Sequence, residues 1–495
     1  MKHLKKIFKF SSLFILSAFL LLFLQTFKNY QGDKIIYILF TALNIYLFFF
    51  CFRKKKNFFD LFFGLFLLLG FWIKFSINIG FLNSSFDGSI GAFSFTKEKF
   101  NQVLMVSIYG ILGFILAGHL RDLLNFHYKN QKVIYFLNQE LYVKYRNFFL
   151  IVLIFLVILL PVLNLYYSIY QKGIYSNNIH FLVQIFFKFV LFFGFTSLFS
   201  YILFCDFKVS NKITYTLLAL AILENFFSSV SILSRGMIFN SSVLIIGSYS
   251  LLRLNKIQID LKYFFSIIIF SISLFYISLF IVEKLRNNFY INNDVSEKLF
   301  FNNSKILNKV KYYDKNNNII EPVRTSVNSA ILYLMVNRWV GIDGVMSVVQ
   351  KNKILDYKIL KNAFNIKSDP DDFSYHEKIF DIKKKFHQDE LNKNRKSLRK
   401  GNTLPGIIAF LFYSGSYFIV FFSMFFISLF SSFIEFVSYK LTRGNIIFSC
   451  FIGHIIAYRL IHFGFAPYNT HYFVLSIIIL LLFYYLITIY LERKN

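Results

Sequence analysis

"SILSRGMIFN", residues 231–240, decides how this chain is built. The sequence is apolar on both flanks, and two such flanks read as a pair of helices that cross ~30 Å of hydrocarbon. One arginine and one glycine separate them. Arg235 beside Gly236 therefore marks a tight turn between two membrane spans. The same alternation continues outward in both directions. The 495-residue chain is 56% hydrophobic and has only five prolines, whereas soluble domains interrupt their apolar runs often. Lipid offers no water to backbone groups, so the spans must be helices. The expected fold is all-α: a polytopic integral membrane protein of about twelve transmembrane helices with one large extracytoplasmic loop.

Twelve spans are expected, at residues 8–27, 35–52, 58–78, 102–120, 148–168, 181–205, 213–233, 237–252, 262–282, 407–434, 446–462 and 472–490. The positive-inside rule orients them. With the N-terminus in the cytoplasm, the inner segments collect Lys5-Lys6, Arg53-Lys54-Lys55-Lys56, Arg121, Lys129, Lys132, Lys144 and Arg146. They also collect Arg253, Lys256, Lys440, Arg443 and Arg493-Lys494. Both termini are then cytoplasmic. The N-terminal apolar stretch lacks a small-x-small cleavage site and reads as a retained first span.

Three regions follow in chain order. Residues 1–282 form an N-terminal membrane bundle of about nine spans, 283–405 a large outer loop that is partly helical, and 406–495 a C-terminal bundle of about three spans. Basic residues outnumber acidic ones in the long loop too, but long loops translocate largely regardless of charge. A net charge of +29 would suggest nucleic acid in a soluble protein. Here it lies mainly in loops and sets orientation, so no nucleic-acid partner is expected. Cys51, Cys205 and Cys450 make neither a metal spacing nor an obvious disulfide framework.

Arg235 has a structural reading, a guanidinium snorkelling to the headgroups with Gly236 easing the turn. It also has a functional one, a fixed cation that grips phosphate through two prongs at the mouth of a cavity. Lys74, Lys188, Glu224, Glu435, His454, Arg459 and His462 lie within expected spans, where ionisable groups face a cavity or a partner. Glu224 and Lys188 are expected to pair. Arg459 and His462, three apart, share one helical face and could join Arg235 in a cationic rim.

In the loop, "SVNSAILYLMVNRWVGIDGVMSVVQ" (326–350) has helical apolar spacing at Ile331, Leu332, Leu334, Met335, Trp339 and Val340, with a break at Gly341 and Gly344. Arg338, Trp339 and Asp343 cluster there, a combination suited to stacking on a sugar and holding an anion. An interfacial helix with its Trp at the headgroups reads equally well. Arg324 in the same loop is a further candidate for substrate binding. "DPDDF" (369–373) offers only a weak Asp-x-Asp metal signal, and no metal site is expected; His376 and His387 could act as bases, or need no explanation. No Walker loop, dinucleotide fingerprint or His-Glu-x-x-His is present.

An Arg-Gly in the turn of a central hairpin ("SRGMIF"), a long late loop, and Pro405, Tyr413 and Gly415 in "TLPGIIAFLFYSGSYFIVFFSMFFISL" (403–429) resemble the oligosaccharide repeat-unit polymerases, which include the O-antigen polymerases. The resemblance covers about residues 210–430. It implies a C-type lipid-sugar glycosyltransferase, related to the O-antigen ligases, in the inner membrane. Donor and acceptor would be oligosaccharides on undecaprenyl pyrophosphate, with a chain-length regulator as a further candidate partner and no cofactor or metal. Arg235, Arg338 and Asp343 would be catalytic. Arg459, His462, Trp339 and Arg324 would bind substrate, and the base would be Asp343, His462 or Glu224. The alternatives are a ligase with the same fold, or a transporter of lipid-linked sugar or polysaccharide.

Overall fold

The computed structural model describes residues 2–53, 57–82, 86, 90–124, 139–172, 179–234, 238–291, 312–313, 319–320, 336, 339–365, 375–380, 404–464 and 467–492. Helices carry the architecture. Among the described residues the only strands are the two-residue β1 (Tyr312–Tyr313) and β2 (Ile319–Ile320), paired antiparallel. Eight helical stretches are long and apolar enough to cross a membrane: Lys34–Cys51, Phe58–Gly80, Lys97–Leu123, Tyr142–Tyr167, Leu182–Ser210, Leu261–Val282, Tyr417–Leu441 and Pro467–Tyr490. Two shorter apolar helices, Tyr215–Ser231 and Ile446–Ile461, fall where spans were expected. This is an all-helical membrane protein.

The helices gather into two compact units by contact rather than by chain order. The first holds α1 (Lys2–Asn29), α2 (Lys34–Cys51), α3 (Phe58–Leu67) and its continuation α4 (Lys74–Gly80), and α5 (Lys97–Leu123). The second holds α6 (Gln139–Tyr167), α7 (Phe181–Phe189), α8 (Phe195–Ser210), α9 (Tyr215–Ser231), α10 (Ile238–Leu254) and α11 (Leu261–Ile291). The first unit is completed by the later elements α12 (Ile342–Gln350), α13 (Tyr357–Phe364), α14 (Tyr375–Ile379), α15 (Ile407–Leu411), α16 (Tyr417–Leu441), α17 (Ile446–Ile461) and α18 (Thr470–Glu492). Its early and late spans are neighbours: α16 packs on α5, and α17 on α3.

The expected span at 407–434 is corrected by its glycine. Gly415 takes the left-handed conformation (φ +70) that ends a short turn, and Ser416 then caps a new helix by accepting from Ile419 N. The long helix therefore starts at Tyr417, and the apolar residues before it form the separate α15.

Charge fixes one end of the first unit. Asp60, in the first turn of α3, accepts from Arg53 at 2.9 Å and from Arg121 of α5. Arg121 also reaches Asp122 at 2.8 Å, and Arg53 reaches Asp122 at 2.9 Å. Two cations and two anions thus balance in a largely buried network. Nearby, the Glu435 carboxylate of α16 accepts from the backbone N–H of Phe58 and Phe59, at 2.8 and 2.6 Å. It satisfies two of the orphan donors at the start of α3. Removing one partner from a buried ionic network costs ~3–5 kcal/mol. Asp60→Asn should therefore lower the thermal stability of detergent-purified protein sharply, whereas a substitution at exposed Leu123 should leave it unchanged.

Candidate functional site

Span Phe58–Gly80 is not a regular helix. Between α3 and α4 it passes through a π-turn at Leu68–Ile73. Such a turn adds a residue, widens the helix locally and is frequent at functional sites. Gly70 sits in that turn, and the chain at Val340–Gly341 lies directly against it. A Cβ on Gly70 would run into the Val340 carbonyl, and one on Gly341 into the Gly70 backbone. Glycine at both positions is what lets two backbones touch.

Lys74, one turn on, closes the junction. Its ammonium donates to the Trp339 carbonyl at 2.8 Å and to Asp343 Oδ2 at 2.5 Å. The paired side chains are 2% and 6% exposed. The expected ionisable group in a span has thus found its partner in the long connection. Helix α12 follows, with Ile342 through Val349 all buried between α5 and α15. The sequence reading placed Trp339 and Val340 within a two-faced helix. They instead precede it, because the helix starts only after the Gly70–Gly341 contact. Trp339 is half-buried.

A second tie holds α14. Ser347 Oγ donates to Gly344 O at 2.8 Å, so it must accept from His376 Nε2–H at 3.1 Å. His376 Nδ1 then accepts from the Tyr413 hydroxyl at 2.8 Å. All three side chains are 1% exposed. With both ring nitrogens engaged and buried, His376 holds the chain together and is not poised as a base. Burial pushes its pKa down from 6.5 to about 3.

At the end of α17, the Arg459 guanidinium lies 6.0 Å from the Phe473 ring, and its Nε has no hydrogen-bond partner among the described residues. The expected shared face with His462 is altered, because α17 stops at Ile461 and His462 becomes its C-cap. The His462 ring lies 4.2 Å from that of Tyr458, and its Nδ1 faces Tyr458 O at 3.0 Å. A carbonyl can only accept, so Nδ1 carries a proton and donates to it. His454 is packed edge-on to Phe62.

In the second unit, Arg235, Gly236 and Met237 lie outside the described residues, but the cradle before them does not. Asn164 of α6 donates to Ser231 Oγ at 2.7 Å and Ser231 O at 3.0 Å, while its Oδ1 accepts from Tyr170 N at 2.8 Å. Lys172 N reaches Ile232 O at 2.9 Å. Buried Leu233 is held at φ +56, a conformation that costs ~1–3 kcal/mol in a non-glycine residue and persists only where its surroundings dictate it. The expected pairing of Glu224 with Lys188 is overturned. Glu224 accepts from Ser228 at 2.6 Å, and Lys188 lies 5.6 Å from the Tyr170 ring, near the end of α9 rather than two turns back at Glu224.

The structure thus brings Asp343 and Trp339 to Lys74, and sets Arg459 against Phe473 and His462 against Tyr458 rather than against each other. Arg338, Arg324, the 369–373 motif and His387 lie outside the described residues. Sequence reasoning missed Asn164, although a lone amide inside "ILLPVLNLYY" was the available signal. It also missed Gly70, whose role depends on a π-turn that no local pattern announces. No known protein family, curated protein or solved structure matches the chain.

The His376 tie has a pH signature. Unfolded, the ring binds a proton below pH 6.5, and the folded site refuses it down to about 3. The stabilisation is therefore complete above pH 6.5 and is lost as pH falls through that window, by up to ~1.4 kcal/mol per unit. Hydrogen exchange at residues 375–380, corrected for intrinsic rates, should rise on going from neutral pH to about pH 5. His376→Gln should abolish that pH dependence.

Proposed function

We propose that the protein joins undecaprenyl-pyrophosphate-linked oligosaccharide repeat units into a surface polysaccharide such as O-antigen. In this reading it is a metal-independent glycosyltransferase of the inner membrane, with both termini cytoplasmic and the reaction at the outer face. The observation that carries the reading is the lodging of residues 339–350 in the first unit. The segment that follows Arg338 is fixed by Lys74 and by a backbone contact with a membrane helix. The segment that ends just before Arg235 is held by Asn164. Each of these anchored segments adjoins an arginine in sequence, and a pre-positioned positive charge is what stabilises a departing anion without reorganisation.

The reaction follows from that charge. An acceptor hydroxyl attacks the anomeric carbon of the donor, the bond from that carbon to the pyrophosphate oxygen breaks, and a glycosidic bond forms. In this proposal Arg235 is the cation assigned to the diphosphate, and Arg338, Arg459, Trp339 and Arg324 are the remaining candidates for substrate contact. The proton passes to a base. Asp343 is engaged by Lys74, so it serves to position the segment. His462 is the next candidate base. A ligase would share these features and differ in acceptor.

Arg235→Ala should leave the protein made and inserted while polymer falls by about 100-fold or more, the scale of losing one charge-stabilising donor. Single repeat units on lipid A would accumulate instead. Full-length glycan in that variant would refute the assignment of Arg235. Undecaprenyl-linked polymer accumulating in a deletion strain would identify a ligase.

A further inference from the structure

Helix α6 buries a single stripe. Leu153, Val157, Pro161 and Asn164 are buried while most of their neighbours are not. This stripe meets α9, because Asn164 holds Ser231. The two helices run parallel: at their other ends, Tyr142 of α6 and Thr214, the N-cap of α9, both donate to Asp206, at 2.7 and 2.8 Å. Stepping two turns back from the Asn164–Ser231 contact, about 10 Å on each helix, keeps the same faces and reaches Val157 on one and Glu224 on the other.

Both positions are chemically unusual. Pro161 has no N–H, so the Val157 carbonyl, four residues earlier, lacks its helical donor. Glu224 is 0% exposed, and while its Oε1 accepts from Ser228 at 2.6 Å, its Oε2 has no hydrogen-bond partner among the described residues. Lys188, the basic residue expected to neutralise it, lies at the Tyr170 end instead.

We infer that Glu224, Ser228 and the Val157 carbonyl form a binding site for a monovalent alkali cation between α6 and α9. The donors are all oxygen, the chemistry that suits hard cations. One carboxylate balances one positive charge, whereas a divalent ion would leave excess charge in the bundle. A backbone carbonyl left without its helical donor by a proline, beside a carboxylate and a hydroxyl, offers oxygen ligands for an ion at depth. The ion would brace α9, the helix whose end carries the Arg235 turn. The site stands independently of glycosyl transfer.

The test is the thermal stability of the full-length protein in nanodiscs, in sodium, potassium or choline chloride at constant ionic strength. Sodium or potassium should raise Tm saturably by several degrees over choline. Glu224→Gln should remove that response, and Ser228→Ala should weaken it. Pro161→Ala restores the N–H that pairs with Val157 O, so it should remove the response while keeping the helix intact, even if Glu224→Gln fails to fold. Equal Tm in all three salts, or a persisting ion response in either Glu224→Gln or Pro161→Ala, would overturn the site. A protonated-acid carbonyl band in the infrared spectrum of wild type, lost in Glu224→Gln and insensitive to sodium and potassium, would also overturn it in favour of a neutral carboxyl. Because no glycan enters the measurement, its failure would leave the polymerase reading untouched, and the reverse.

Discussion

The contact of Lys74 with Trp339 O and Asp343 governs the first unit. An ammonium in a membrane helix needs a counter-charge, and the nearest one here comes from a segment far away in sequence. Satisfying it pulls the chain at 339–343 against the π-turn at Leu68–Ile73, where glycines on both sides remove the steric barrier. Helix α12 is then buried, α15 packs against it, and Ser347 becomes available to His376. Without the ion pair, Asp343 would be an uncompensated buried charge and the sequence of contacts that follows would lose its origin.

The second unit is organised around an amide rather than a charge. Asn164 gathers the end of α9, the Tyr170 backbone and thereby the approach to Arg235. An amide has two donors and an acceptor with two lone pairs, so one side chain can satisfy several backbone groups at a helix end where no water is at hand. In both units a polar side chain in an apolar helix fixes a loop segment, and in both the segment leads to an arginine that the proposed chemistry uses.

Much of this was legible. Long apolar runs announced the spans, and Lys74, Glu435 and Glu224 stood out because ionisable groups in such runs demand partners. Which partner each would take was not legible. Glu435 caps α3 from a helix that follows it by hundreds of residues, and Lys74 pairs with a loop aspartate; both depend on packing that a local pattern does not encode. The Lys188–Glu224 expectation failed for the same reason, since depth along neighbouring helices decides the match. The break at Gly415 was visible as a glycine but was read as part of a continuous span, because its apolar flanks carry the same signal as a helix.

The most direct measurement of the account is hydrogen exchange at residues 342–350 in membrane-reconstituted wild-type protein. Lodged as described, these amides should exchange as slowly as those of α5 and α16, and Lys74→Met should release them. Exchange in wild type at the rate of a solvated loop would contradict the tie between Lys74 and the 339–343 segment, and with it the observation on which the proposed function leans.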